Sequence, residues 1–202
     1  MQGEPISARS GSIIHVASRW FRETHHASVL ENWGLLWMWH SLKIFLLCSV
    51  TQWMAWKGVQ DYRAYLALWS IGLVAWGGIF WTLRRRGGPV LFIERQIAHI
   101  WGSGIIASIC LFVIERLLGD PPLKLSPLLA VYAGMVFVVK AGMLSGSFYL
   151  TAAAFFVTAF LMALFPQVGI LLFGLVSAAA FFIPGLKYYR QRIRAAGDRV
   201  TR

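Results

Sequence analysis

The stretch that decides the fold runs from Trp81 to Gly104 and reads WTLRRRGGPVLFIERQIAHIWGSG. Three consecutive arginines, two glycines and a proline separate two strongly apolar runs. A basic, glycine-rich break between apolar segments is typical of a cytoplasmic loop that joins two membrane-spanning helices. We therefore predict a membrane protein in which this loop faces the cytoplasm.

The composition of the whole chain agrees with lipid as its solvent. The 202 residues are 58% hydrophobic and only 13% charged, and the mean hydropathy is +0.63, whereas about 25% of the residues of a soluble domain are charged. The formal net charge is +11, but the basic residues lie mostly at the ends of apolar segments. We interpret this charge as a topology signal and predict no nucleic-acid partner.

Six segments are long and apolar enough to cross about 30 Å of hydrocarbon as helices. They are Gly34–Trp56, Tyr62–Leu83, Ile97–Leu118, Pro127–Leu144, Ser147–Phe165 and Val168–Leu186. The predicted fold is all-α, an integral membrane bundle of six transmembrane helices. It divides into a cytoplasmic N-terminal tail (1–33), the helical domain (34–187) and a basic cytoplasmic C-terminal tail (188–202).

The distribution of lysine and arginine predicts the orientation. With both termini in the cytoplasm, thirteen basic residues lie on the cytoplasmic side and four on the other side. Positive side chains resist translocation, so we predict cytoplasmic termini and a location in a bacterial cytoplasmic membrane. The basic segments also predict attraction to anionic lipid headgroups.

Packing predictions follow from small residues and prolines. Small residues four apart, as in Ala130-x-x-x-Gly134 and Gly174-x-x-x-Ala178, favour close helix contact in lipid. We therefore expect helices four to six to be compact and the tryptophan-rich helices one and two to pack more loosely or to face lipid. Four tryptophans are expected in interfacial belts: Trp53, Trp56, Trp81 and Trp101. Ser145–Ser147 predicts a tight hairpin, Gly102–Gly104 a packing notch, and Pro184 a kink or a helix end.

Ionisable residues near or within the spans are the candidate functional residues, because they are costly in a membrane. We expect Lys140 to extend to the headgroups, whereas Lys43 either does the same or pairs with Glu94. His40 and His99 are expected to make structural hydrogen bonds, with a haem or proton-relay pair as the rival interpretation, and Glu115 with Arg116 reads as an interfacial pair. The full candidate set is His40, Lys43, Arg84, Arg85, Arg86, Glu94, Arg95, His99 and Lys140.

Catalytic and metal-binding motifs are absent from the sequence. It has no P-loop, no H-E-x-x-H, no G-x-S-x-G and no Cys-x-x-Cys pair. Cys48 and Cys110 lie in apolar runs and are expected to be free thiols. We therefore predict no cofactor and no metal, and whether the protein is an enzyme stays open.

Four segments carry a family resemblance: HSLKIFLLC (40–48), RRRGGPVLFIERQIAHIW (84–101), LSPLLAVYAGMVFVVKAGMLSGSFY (125–149) and LLFGLVSAAAFFIPGLKYYRQR (171–192). Over Trp37–Arg192 the chain resembles the C-terminal membrane region of planctomycete-type bacterial serine/threonine protein kinases. The kinase domain of those proteins has no counterpart here. The chain is expected to be either part of a longer kinase or a free-standing relative of the membrane region.

The resemblance implies a non-catalytic membrane anchor, with a possible sensor role, in a signalling protein. Its partners would be the lipid bilayer, a second copy of the chain or a signalling protein. Two rival functions stay open: a small polytopic transporter or channel, and a membrane haem or redox protein that uses His40 and His99. A transporter is expected to have a polar cavity near the bilayer midplane and interrupted helices.

Overall fold

The computed structural model describes residues 33–86 and 92–200, and these ranges contain helices and no strand. The helices are α1 (Gly34–Trp56), α2 (Tyr62–Arg86), α3 (Phe92–Leu118), α4 (Pro127–Met143), α5 (Phe148–Leu164) and α6 (Gly169–Val200). The predicted all-helical class is confirmed for this part of the chain. The predicted N-terminal tail up to residue 32, the loop 87–91, residues 201–202 and the side chains of Arg86, Arg192 and residues 194–200 lie outside the described residues.

Within the described ranges, four helices are long and apolar enough to cross a membrane: α1, α2, α3 and the segment Gly169–Gln191 of α6. Helices α4 and α5 are apolar as well but contain 17 residues each. At 1.5 Å per residue each extends about 26 Å, the lower end of transmembrane helix lengths. Large apolar side chains are exposed on every helix, among them Leu46, Ile71, Ile106, Met135, Phe160 and Ile183. A lipid environment accommodates such an apolar surface, which water would not.

Two helix boundaries differ from the sequence prediction. Helix α3 begins at Phe92 rather than at Ile97, so that Glu94 lies in its first turn. Helix α6 continues through Pro184 to Val200, so that of the predicted kink or helix end at Pro184 the helix end is wrong. The turn at Pro184 packs directly against the start of α1, and this contact supports the helix where proline removes a backbone hydrogen bond.

The pair α1 and α6 makes the most extensive helix contact, and it is built on glycines. A methyl group added at Gly185 would lie 2.9 Å from the carbonyl oxygen of Gly34, and one at Gly174 would lie 2.6 Å from Cβ of Cys48. Of the two alternatives predicted for helix one, loose packing is therefore wrong. Helix α2 does pack loosely. Of its most apolar 18-residue segment 11% is buried, compared with 39% for the corresponding segment of α1 and 44% for that of α6.

Helices α4 and α5 form the predicted hairpin through Leu144–Ser147, and their contact is the second most extensive in the bundle. The α3–α4 connection is organised by Glu115, whose carboxylate accepts hydrogen bonds from the backbone N–H groups of Leu123 (3.1 Å) and Leu125 (2.6 Å). The Arg116 guanidinium instead lies 4.8 Å from the ring centroid of Tyr62. The predicted Glu115–Arg116 pair is thus wrong, because the Glu115 carboxylate is hydrogen-bonded to backbone N–H groups of the α3–α4 connection.

The packing notch predicted at Gly102–Gly104 is formed by Gly104, whereas a methyl group at Gly102 would meet nothing within 4 Å. A methyl group at Gly104 would lie 2.7 Å from the ring of Tyr132, which packs into this gap from α4. The Tyr132 hydroxyl lies 2.8 Å from Oγ of Ser103 and donates to the carbonyl of Ile100 at 3.0 Å. The notch therefore fixes α4 against α3.

Candidate functional site

Glu94 is the polar centre of one end of the bundle. Its Oε1 accepts hydrogen bonds from Nε1 of Trp33 (2.6 Å) and from Nε of Arg84 (2.7 Å), and its Oε2 accepts one from Nη2 of Arg84 (2.6 Å). Glu94 is fully buried, and Arg84 and Trp33 nearly so. Such charge-assisted bonds are the strong ones in proteins. They tie the start of α1, the end of α2 and the start of α3 together, and we call these three residues the Glu94 cluster.

The predicted ion pair between Lys43 and Glu94 is wrong. Glu94 bonds to Arg84 and Trp33, and Nζ of Lys43 is buried without a hydrogen-bond partner. The early start of α3 explains the difference, because it brings Glu94 opposite the last turn of α2. Arg84 is therefore the nearest cation, whereas Lys43 lies further along α1.

A cavity of about 440 Å³ lies inside the bundle next to the Glu94 cluster. Helices α1 to α4 supply most of its lining, and Phe155 of α5 and three residues of α6, Phe173, Ser177 and Phe181, supply the rest. Its volume falls within the range of about 300–1,000 Å³ that is typical of ligand pockets. Aromatic rings dominate the lining, including Trp33, Trp37, Trp69, Trp76, Trp101 and Tyr132, and no Asp or Glu among the described residues contributes to it.

Two hydrogen-bond donors in this lining are unsatisfied. Nζ of Lys43 and Nε1 of Trp76 are both buried and have no hydrogen-bond partner. Nζ of Lys43 lies 6.0 Å from the ring centroid of Trp76, so the two groups are neighbours. Unsatisfied buried donors are rare in folded proteins and call for an explanation at each occurrence.

Lys140 is fully buried, and the prediction that it extends to the headgroups is wrong. Its ammonium lies 4.3 Å from the ring centroids of both Trp37 and Phe137 and 4.8 Å from that of Phe148. Trp101 and Phe181 lie 5.4 Å away. We call these five rings the Lys140 cage. Four of them, Trp37, Trp101, Phe137 and Phe181, also line the cavity, so this ammonium lies just behind the cavity wall.

His40 lines the cavity, but its neighbours are rings rather than hydrogen-bond partners. The ring centroids of Phe181, Trp101 and Trp76 lie 4.5, 5.7 and 6.1 Å from that of His40. No hydrogen bond between the His40 side chain and another described residue supports the predicted role. His99 is exposed and takes no part in the lining. The two histidines that a haem site would require are therefore not brought together.

Arg85 and Arg95 lie on the outer surface, each next in sequence to a member of the Glu94 cluster. The guanidinium of Arg85 lies 5.1 Å from the ring centroid of Trp81, and Arg95 is exposed. The side chain of Arg86 lies outside the described residues. In residues 33–86 and 92–200, no group of three or more His, Cys, Asp or Glu side chains could hold a metal ion.

The sequence prediction missed Trp33, Trp37 and Trp76 as parts of a site and placed Trp101 in an interfacial belt. The signal that could have found them is the restriction of all ten tryptophans to the first half of the chain. Trp53 and Trp56 are exposed, as a belt requires, but the others named here face the interior. Comparison of the chain with protein-family models, with curated proteins and with solved structures finds no match.

Proposed function

We propose that the chain is a non-catalytic membrane module of a bacterial signalling protein, which anchors that protein and senses a lipophilic ligand. The observation that carries the proposal is the aromatic cavity of about 440 Å³ beside the Glu94 cluster. An apolar cavity with a few convergent polar groups is the usual form of a small-molecule site. The resemblance to kinase membrane regions supports the signalling context.

The proposed arrangement has six spans and cytoplasmic termini in the inner membrane. The excess of basic residues in the N-terminal segment, the second loop and the C-terminal segment supports this orientation. The α4–α5 hairpin completes the count, since each of its helices is apolar and has 17 residues, just enough for a thin or locally thinned bilayer.

Trp33 supplies the route by which occupancy of the cavity would reach the rest of a signalling protein. Its indole lines the cavity and donates to Glu94, and it immediately precedes α1. A ligand in the cavity would change the packing of this indole and so bias the position of the segment before residue 33. A ligand shifts an equilibrium only through such differential contacts.

To test this coupling, a larger side chain is introduced into the cavity so that it occupies the space a ligand would fill. Ala133 lines the cavity from α4, far along the chain from Trp33, so Ala133→Phe fills part of the space. A nitroxide label on Ser28→Cys, with Cys48→Ala and Cys110→Ala, reports motion of the N-terminal segment by electron paramagnetic resonance. We expect Ala133→Phe to change the spectrum and Ala153→Phe, on the exposed face of α5, to leave it unchanged.

A second measurement addresses the ligand itself. Mass spectrometry of the purified full chain is expected to detect one lipophilic molecule retained by the wild-type protein and lost from Ala133→Phe. If the electron paramagnetic resonance spectra of wild type and Ala133→Phe were the same, the proposed coupling between the cavity and the N-terminal segment would be wrong. A protein that retains nothing in either form would overturn the binding role.

A further inference from the structure

We propose that the cavity binds a lipophilic anion, an apolar molecule with one acidic head such as a carboxylate, and that Lys43 and Trp76 hold this head. The proposal rests on the proposed function, because it names the chemical class of the ligand in the same cavity. It is carried by the two unsatisfied donors and by the charge of the lining.

The first step concerns hydrogen bonding. Nζ of Lys43 and Nε1 of Trp76 are buried, adjacent and without partners, and both side chains line the cavity. An ammonium and an indole N–H can only donate. The missing partner is therefore an acceptor, and a group with two acceptor oxygens can meet both donors at once.

The second step concerns charge. The described lining contains the Lys43 ammonium and no carboxylate, and the cage places the ammonium of Lys140 behind the same wall. Two positive groups in an apolar interior favour an anion, since charges interact strongly where the dielectric constant is low. A neutral acceptor such as a ketone would satisfy the hydrogen bonds and leave both charges uncompensated.

The third step concerns the body of the ligand. Around these donors the wall consists of side chains such as Trp69, Leu73, Trp101, Ile105 and Val136. A sugar or nucleotide would leave many polar groups unpaired against such a wall, which is costly. An acyl chain or a similar apolar skeleton fits it, with the acidic head as its single polar end.

The experiment compares two probes with the same acyl chain, one with an anionic head and one with a neutral head that carries an additional methyl group. Equilibrium binding of radiolabelled dodecanoate and of its methyl ester is measured on the purified full chain in phosphatidylcholine nanodiscs, with empty nanodiscs as background. We expect wild type to bind dodecanoate at least about tenfold more tightly than the ester, as expected for a hydrogen bond to a charged group.

Variants then assign the head to the two donors. Lys43→Met is expected to abolish the preference for dodecanoate and Lys43→Arg to keep it, while Trp76→Phe loses only part of it because a single neutral donor is removed. Lys57→Met is the matched control, because Lys57 is exposed beyond the end of α1.

Competition with phosphatidylglycerol distinguishes the source of the anion. Displacement of dodecanoate would place a phospholipid headgroup on the same donors, and no displacement supports a free acid.

Three results would overturn the proposal. Equal affinity of wild type for both probes would mean that the cavity does not select an acidic head, and an unchanged preference in Lys43→Met would mean that Lys43 does not hold the head; both leave the lipophilic site and the proposed function in place. Failure of both probes to bind wild type would overturn the proposed function as well. The comparison of probes on wild type does not depend on the folding of any variant.

Discussion

At the scale of single residues, Lys140 presents the clearest energetic imbalance. Its ammonium is fully buried without a hydrogen-bond partner, and five rings surround it. Cation–π contacts contribute roughly 0.5–2 kcal/mol each when geometry is favourable, whereas removing an ion from water costs several kcal/mol. Five rings around one ammonium do not act as five independent optimal contacts, so desolvation is the larger effect.

We therefore predict that Lys140→Met stabilises the protein. Methionine fills the same elongated space, and its sulfur packs well against aromatic rings. The expected gain in the free energy of unfolding is on the order of 1–3 kcal/mol, measured as a higher midpoint of thermal unfolding in detergent. Lys124→Met, at an exposed position, serves as the control. A lower midpoint for Lys140→Met would mean that the ammonium has a stabilising partner and that the energetic argument is wrong.

The sequence analysis singled out Lys43, Glu94 and Lys140 and assigned them the wrong partners or surroundings. Hydropathy marks a charged residue as unusual and gives its depth along a helix, which is why Lys43, Glu94 and Lys140 stood out. Partners depend on how each helix is rotated about its axis and on where it begins. Helix α3 begins at Phe92 instead of Ile97, and Glu94 therefore forms its ion pair with Arg84 and not with Lys43.

At the scale of helices, apolar length was predictable and packing was less so. The bounds Gly34–Trp56 of α1 agree with the predicted span, and α2, α4 and α5 agree to within a few residues. The contact between α1 and α6 was missed because its two faces lie about 150 residues apart in the sequence, roughly the length of the bundle domain itself. The sequence analysis looked for small residues four positions apart within one helix. Gly34, the first residue of α1, is not part of such a pattern, so its contact with α6 was not predicted.

Glycines at the α1–α6 contact permit a sharp comparison. A methyl group at Gly185 would lie 2.9 Å from a backbone oxygen of α1, whereas one at Gly142 would meet nothing within 4 Å. We predict that Gly185→Ala lowers the free energy of unfolding by about 1–3 kcal/mol, because two backbones must separate. Gly142→Ala should be neutral or stabilise by up to about 1 kcal/mol, since alanine restricts the unfolded chain and favours a helix.

Unfolding in detergent, followed by tryptophan fluorescence, measures both variants under the same conditions. The two substitutions add the same methyl group to a helix, so their difference isolates the effect of the contact. If Gly185→Ala and Gly142→Ala had equal stabilities, the close approach of α1 and α6 would not be required for the fold.

At the scale of the whole molecule, the number of spans depends on the α4–α5 hairpin. Helices α1, α2, α3 and α6 are of spanning length, but the hairpin can be arranged in two ways. If α4 and α5 cross the bilayer, their connection at Ser147 lies on the same side as Arg85. If the hairpin enters and leaves from one face, Ser147 lies on the side of Asp120. The start of α1 and the end of α6 lie on the same side of the membrane in both arrangements. Tags at the two termini therefore do not distinguish six spans from four.

A cysteine at Ser147 therefore decides between six and four spans. We predict that Asp120→Cys reacts with a membrane-impermeant maleimide in intact cells, and that Ser147→Cys and Arg85→Cys react only after the membrane is permeabilised. Cys48→Ala and Cys110→Ala remove the native thiols, and Ser147 is exposed, so access is not limited by packing. Labelling of Ser147→Cys together with Asp120→Cys in intact cells would favour a re-entrant hairpin. Labelling of Arg85→Cys would reverse the orientation, because the arginines at the end of α2 would then have crossed the membrane against the charge rule.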